Sequence, residues 1–246
     1  MKCIIPCGGF GTRMQKLGLN KPKAFVEVGG KKIIEHILDK ISLVEEIDEV
    51  FIVSNSYFFK DFNDWIEGIN YSKKIRLLCD GVRSNEERRG SLFNTLQALT
   101  WLERAGENDD LLIIYGDNLF DFDLNDLVKT FKKNEKDVVT VCDVCNVEEA
   151  KRFGVISVNE KNIITKIVEK PDNPESTLIS TGVYLFRKES KKWFFKDYSI
   201  LKESGIGHVI IKMFKEVPIM VFKVPEECKW FDVGSPETYL KLKENF

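Results

Sequence analysis

The chain has 246 residues, 43% of them hydrophobic, enough for a sizeable core in one large domain or one domain with a lobe. Lys and Arg number 37 against 39 acids, and a formal charge of -2 excludes a global field for nucleic acid or membrane, so any basic site must be local. No apolar run is long enough to span a bilayer and the N-terminus lacks the pattern of a secretory signal, so a cytoplasmic protein without a membrane partner is expected.

The first element is a short apolar strand, Cys3 to Ile5, which breaks at Pro6-Cys7-Gly8-Gly9-Phe10-Gly11-Thr12-Arg13. Glycine removes the side chain that would keep a ligand off the backbone and lets successive amides turn inward, and Arg13 adds a rigid cationic fork for phosphate oxygens. Lys21 and Lys23 follow ahead of an apolar stretch, and together these groups suit a polyphosphate. The spacing is neither the Walker pattern nor the dinucleotide pattern G-x-G-x-x-G. An ordinary glycine-rich turn is the competing reading of the loop taken alone.

Apolar runs Val50–Val53, Ile75–Cys79, Leu111–Tyr115 and Val138–Cys142 read as further strands, and segments beginning near Lys32, Tyr57, Gly90 and Leu124 carry helical spacing, for example Ile33, Ile37, Leu38 and Ile41. Such alternation predicts a parallel sheet covered on both faces, with ligands beyond the carboxyl ends of the strands, where the glycine loop and Asp117 lie. Magnesium favours carboxylates and phosphate oxygens, which suits Asp117 at a strand end. The competing role is a turn aspartate capping local amides.

After Phe153 the texture changes to short strands, Val155–Val158, Ile163–Val168 and Leu178–Phe186, separated by turn-rich tetrads. A last strand, Ile219–Val224, precedes a helix from Pro236 with Ser235 as its cap. No internal repeat and no hexapeptide-repeat pattern is visible within these 246 residues. The six cysteines are scattered, and Cys142-Asp143-Val144-Cys145 is a lone C-x-x-C, so reduced cysteines serving as small apolar residues are expected. His36 on an apolar helix face and His208 near an apolar turn read as structural.

Gly8-Gly9-Phe10-Gly11-Thr12-Arg13 with Lys21-Pro22-Lys23 resembles the signature of the sugar-1-phosphate nucleotidylyltransferases, the family of glucose-1-phosphate thymidylyl- and uridylyltransferases and mannose-1-phosphate guanylyltransferases. Tyr115-Gly116-Asp117-Asn118, Phe153-Gly154-Val155-Ile156, Val168-Glu169-Lys170-Pro171, Thr181-Gly182-Val183-Tyr184 and Trp230-Phe231-Asp232-Val233-Gly234-Ser235-Pro236 fall in the family's order, so the likeness covers nearly the whole chain.

The resemblance implies an α/β, Rossmann-like three-layer nucleotidyltransferase (GT-A-like) fold with a mostly parallel central sheet and a smaller β-rich acceptor part. It implies a single domain, 1–246, whose residues 1–150 bind the nucleotide and whose residues 151–246 bind the sugar phosphate. The implied reaction joins an NTP to a sugar 1-phosphate and releases pyrophosphate, with Mg2+ as cofactor. Arg13 would hold the leaving pyrophosphate and Lys23 would bridge the reacting phosphates, while Pro6, Cys7, Gly8, Gly9, Gly11, Thr12, Asn85 and Gly90 would line the nucleotide site. Asp117 and Asp232 would hold the metal. Glu169 would accept from sugar hydroxyls, Lys170 would neutralise the acceptor phosphate, Gly154 and Gly182 would let the sugar approach, and Thr181 and Asp117 would border it. A homo-oligomer is compatible with the resemblance.

The chain departs from the family at the base-recognition segment, Asp80 to Ser91, which keeps Gly90 but surrounds it with charge. Asn85 offers an amide that pairs with a base edge, and Arg88 and Arg89 suit stacking, phosphate or solvent. Two other functions compete: a cytidylyltransferase acting on a small alcohol phosphate or phosphonate, which need not keep Glu169 and Lys170, and a non-catalytic subunit that binds sugar nucleotide, which would be expected to have lost Arg13, Lys23 or an aspartate.

Overall fold

The computed structural model describes residues 1–14, 20–196 and 205–245. In chain order the first half contains β1 (Lys2–Cys7), the short hairpin β2 (Glu27–Val28) and β3 (Lys31–Lys32), α1 (Ile33–Ser42), β4 (Glu49–Ser54), α2 (Phe59–Gly68), β5 (Lys74–Cys79), α3 (Gly90–Arg104), β6 (Leu111–Ile114), β7 (Asn118–Phe120), α4 (Leu124–Asn134) and β8 (Val138–Asp143). The second half adds α5 (Val147–Ala150), β9 (Gly154–Val158), β10 (Ile164–Glu169), β11 (Leu178–Phe186), α6 (Lys192–Phe195), α7 (Ile206–Met213), β12 (Met220–Lys223), β13 (Trp230–Asp232) and α8 (Pro236–Asn245).

Successive side chains of a strand point to opposite faces, and this sorts the interior into two cores. Cys3, Ile5, Val50, Ile52, Leu112 and Ile114 face one side, where α1, α2, α4 and α8 contribute Ile37, Phe62, Leu127 and Leu242. Their neighbours Ile4, Phe51, Val53, Leu111 and Ile113 face the other, against Leu92, Leu96 and Leu99 of α3 and Val209 and Ile210 of α7. The result is three layers. Strands apolar on both faces are what a helix-covered parallel sheet demands.

The expected parallel sheet runs β5-β4-β1-β6, with β1 pairing β4 over its whole length. Strand β11 shares one edge between β6, antiparallel through Val183 to Phe186, and β9 at Ile179, while β8 pairs along its other edge with a register shift between Ser180 and Tyr184. Thus strands after Phe153 extend the same sheet, β12 adding to the outside of β8 in parallel and β10 to β9 antiparallel. Ser235 caps α8 as expected, its Oγ accepting from the Thr238 amide at 3.3 Å.

Candidate active site

The carboxyl ends of β1, β4, β5 and β6 open on one side of the molecule, and the chain leaves β1 there through the glycine loop. Pro6, Cys7, Gly8, Gly9, Gly11, Thr12 and Arg13 line a cavity of ≈ 380 Å³ together with Lys23, Asn85, Gly90 and Asp117. All the expected nucleotide-site residues are therefore brought together. Lys21 is not among them, because its ammonium pairs with Glu27 at 3.4 Å outside the cavity. Lys23 lies in a 3-10 turn, Lys23–Phe25, whose Ala24 and Phe25 are buried and fix its direction.

Asp117 follows β6 through Tyr115 and Gly116, and its Oδ2 accepts from Lys23 Nζ at 3.1 Å. The carboxylate raises the pKa of Lys23, outweighing the opposing effect of burial. Asp232 arrives by a second route. Strand β13 pairs antiparallel with β7 so that Asp232 lies opposite Asn118, the Val233 amide donates to the Asp117 carbonyl at 2.8 Å, and Trp230 Nε1 donates to Asn118 Oδ1 at 2.5 Å. Burial, and then the neighbouring Asp117 charge, push Asp232 up to about 6. Two carboxylates that repel each other at the edge of a phosphate-sized cavity are a donor set that fits a divalent cation needing few protein ligands.

A second cavity of ≈ 400 Å³ shares Gly90, Ser91, Tyr115 and Asp117 with the first and continues past Gly154, Glu169, Lys170, Thr181, Gly182 and Asp232. The start of α3, whose cap residue Arg89 makes no side-chain capping bond, opens onto both cavities, and such a helix end presents free amides to an anion. Lys170 takes a left-handed backbone conformation, φ 47°, with its amide donating to the Phe153 carbonyl at 3.0 Å. That conformation costs a non-glycine residue about 1–2 kcal/mol, and here it sits at the rim of the cavity.

Three expectations change in detail. The Thr181 side chain is buried and donates its hydroxyl proton to the Thr140 carbonyl at 3.0 Å, so it braces the sheet and has no proton left for a ligand. Gly182, φ +85°, lines the second cavity and is required in addition by a neighbouring ring, since a Cβ there would stand 2.7 Å from Tyr115. His208 lies in the first turn of α7 and borders the second cavity, where a turn was expected. His36 is structural, its Nε2 bonded to the Val28 carbonyl at 2.9 Å. All six cysteines are free thiols.

The structure also brings in residues to which the sequence assigned no individual role. Asp80 and Asn94 line the first cavity, while Arg152 and Gly207 line the second. Glu169 Oε2 is wedged between glycines, with a Cβ on Gly154 standing 3.1 Å away and one on Gly207 standing 2.8 Å away. Among the described residues no helix is long and apolar enough to cross a membrane.

The comparisons with known proteins agree with this architecture. The chain is 30% identical over 245 residues to the bifunctional protein GlmU of Methanocaldococcus jannaschii, covering 99% of this chain and 54% of that protein. It is 29% identical over 190 residues to the UTP–glucose-1-phosphate uridylyltransferase AglF of Haloferax volcanii, covering 76% of this chain and 72% of AglF. The chain thus spans about half the length of the GlmU relatives it matches. Among solved structures, a protein described as a glucose-1-phosphate thymidylyltransferase from Bacillus anthracis superposes with a TM-score of 0.84 at 23% identity, covering 100% of this chain and 94% of that one. A UDP-glucose pyrophosphorylase complexed with UDP-glucose superposes with a TM-score of 0.81 at 18% identity, covering 99% and 97%. Both share the fold. The nucleotidyl transferase family model matches residues 2–246, and the chain belongs to that family.

Proposed function

We propose that the protein joins a nucleoside triphosphate to a sugar 1-phosphate in a divalent-cation-dependent reaction, forming a nucleoside diphosphate sugar and pyrophosphate. The observation that carries this reading is that two cavities of unlike chemistry, one with a glycine loop and cations, the other with Glu169 and Lys170, meet at Asp117. One phosphate oxygen of the acceptor attacks the α-phosphorus, and the bond to the pyrophosphate oxygen breaks. The nucleophile is already an anion, so no general base is needed, and catalysis reduces to positioning and charge neutralisation.

In this reading Arg13 faces the leaving pyrophosphate and Lys23 the reacting phosphates. Lys170 and Arg152 neutralise the acceptor phosphate, and Glu169, held between its two glycines, accepts from sugar hydroxyls. Asp117 and Asp232 would hold magnesium, which supplies neutralisation of the phosphate charge when bound. The Glu169 and Lys170 pair favours a sugar over a small alcohol phosphate. The presence of Arg13, Lys23 and both aspartates around one cleft favours turnover over binding alone.

The test is to incubate the protein with magnesium, each common nucleoside triphosphate and a panel of sugar 1-phosphates, measuring pyrophosphate and product mass. Pyrophosphate is expected only when both substrates and the cation are present. Release that ignores the acceptor, or no release with any pair, sinks the reading.

A further inference from the structure

We propose that Asp80 reads the base and that the base is guanine, so the donor substrate is a guanosine triphosphate. This rests on the nucleotidyl-transfer reading above. The first cavity has two chemically unlike ends. Gly9, Gly11, Arg13 and Lys23 form one, while Asp80, Val82 and Asn94 form the other, where Asn85, Arg88 and Arg89 also line the wall. In the reading above the phosphates lie on the glycine loop with Arg13 and Lys23, away from the carboxylate that would repel them, and the base then falls against Asp80.

Asp80 is positioned at both oxygens. Its Oδ1 accepts from the Val82 amide at 2.7 Å and its Oδ2 accepts from the Asn94 side-chain amide at 2.7 Å. Asn94 is itself only 5% exposed. A Cβ on Gly8 would stand 2.5 Å from Asn94 and 2.7 Å from Asp80 Oδ2, so the pair is pressed against the backbone of the glycine loop with little room to swing. Burial pushes the Asp80 carboxyl above its ordinary pKa. The nearby Arg89 charge opposes that shift without reversing it.

Each carboxylate oxygen has two acceptor positions, and one on each is taken, which leaves a pair of acceptors for a ligand. Guanine alone among the common bases presents two adjacent donors, N1–H and the N2 amine. Uracil and thymine present one N–H flanked by two carbonyls, and cytosine and adenine present one amine beside a ring acceptor. Each of these would bring a lone pair against the carboxylate in a partly buried place, the costliest kind of mismatch.

The experiment is competition of GTP, ITP, XTP, ATP, UTP, CTP and dTTP against a fluorescent guanosine nucleotide and a fluorescent uridine nucleotide on the full chain in magnesium, with no acceptor present. GTP is expected to bind most tightly among the common triphosphates, and ITP, which lacks the N2 amine, more weakly by roughly five- to a hundredfold. Asp80→Asn should weaken GTP and strengthen XTP, whose C2 carbonyl accepts from the new amide. Tightest binding of UTP, dTTP, CTP or ATP, parity of GTP with ITP, or a ranking unmoved by Asp80→Asn overturns the assignment of guanine while leaving nucleotidyl transfer standing. Binding of no triphosphate overturns both.

Discussion

At the scale of single residues, Asp232 sets binding against stability. Its folded pKa of about 6 lies above the ordinary value of 3.8, so between these values the folded protein holds a proton that the unfolded chain has released. Its contribution to stability is therefore present at low pH and falls as pH rises through that window, leaving a buried, repelled charge above it. Asp232→Asn is expected to raise the melting temperature of the cation-free protein at neutral pH, by on the order of 1–3 kcal/mol of stability, with the gain vanishing in acid. The same variant should lose most pyrophosphate release in magnesium, as should Asp117→Asn. Melting curves across pH beside turnover assays check both halves, and an Asp232→Asn protein with normal turnover sinks the metal role. Lys23→Ala and Arg13→Ala should lower kcat more than they raise KM, by about 2–4 kcal/mol each, because charge on the α-phosphate and the leaving group grows in the transition state. A change confined to KM in either variant refutes its role.

At the scale of elements, the two-stranded pairing of β7 with β13 decides whether the aspartates meet. Its register puts Asp232 opposite Asn118, and the buried Asn118 carbonyl depends on the Trp230 indole N–H. Trp230→Phe leaves that acceptor unpaired, at a cost of about 1–3 kcal/mol. The expected outcome is a higher magnesium concentration for half-maximal activity with little change in nucleotide affinity measured without cation. Equal weakening of both would show that Trp230 touches the nucleotide instead. None of this pairing was legible from the chain. Three-residue strands such as Trp230–Asp232 carry too little periodicity to announce themselves, whereas β1, β4 and β6 are apolar runs buried on both faces. Helix α7 was hidden for another reason: Gly205 and Gly207 at its start are poor helix formers, and Gly207 is there because Glu169 occupies the space a side chain would need. The glycine loop, Lys23 and Asp117 were legible because their chemistry is local in sequence. Asp80 lay within the base-recognition segment with no role of its own to read, and Asn94 lay outside it; only the fold turns them both against Gly8.

At the scale of the whole molecule, the two cavities are tied through one phenol. Tyr115 OH accepts from Ser91 Oγ at 2.9 Å, at the start of α3, and from the Ile206 amide at 3.1 Å, at the start of α7. Helix α7 in turn brings Gly207 against Glu169, so the position of the second cavity's wall depends on a residue that also borders the first. Tyr115→Phe keeps the ring that packs on Gly182 but removes the acceptor from two donors, one of them on the fully buried Ile206. An unpaired buried amide costs about 1–3 kcal/mol, which α7 can relieve only by moving. The acceptor KM is therefore expected to rise roughly tenfold while the nucleotide KM changes little, and the melting temperature should fall. Steady-state kinetics with each substrate varied in turn separates the possibilities. A fall in kcat with both KM values unchanged would place Tyr115 in the chemistry and not in the tie between the halves.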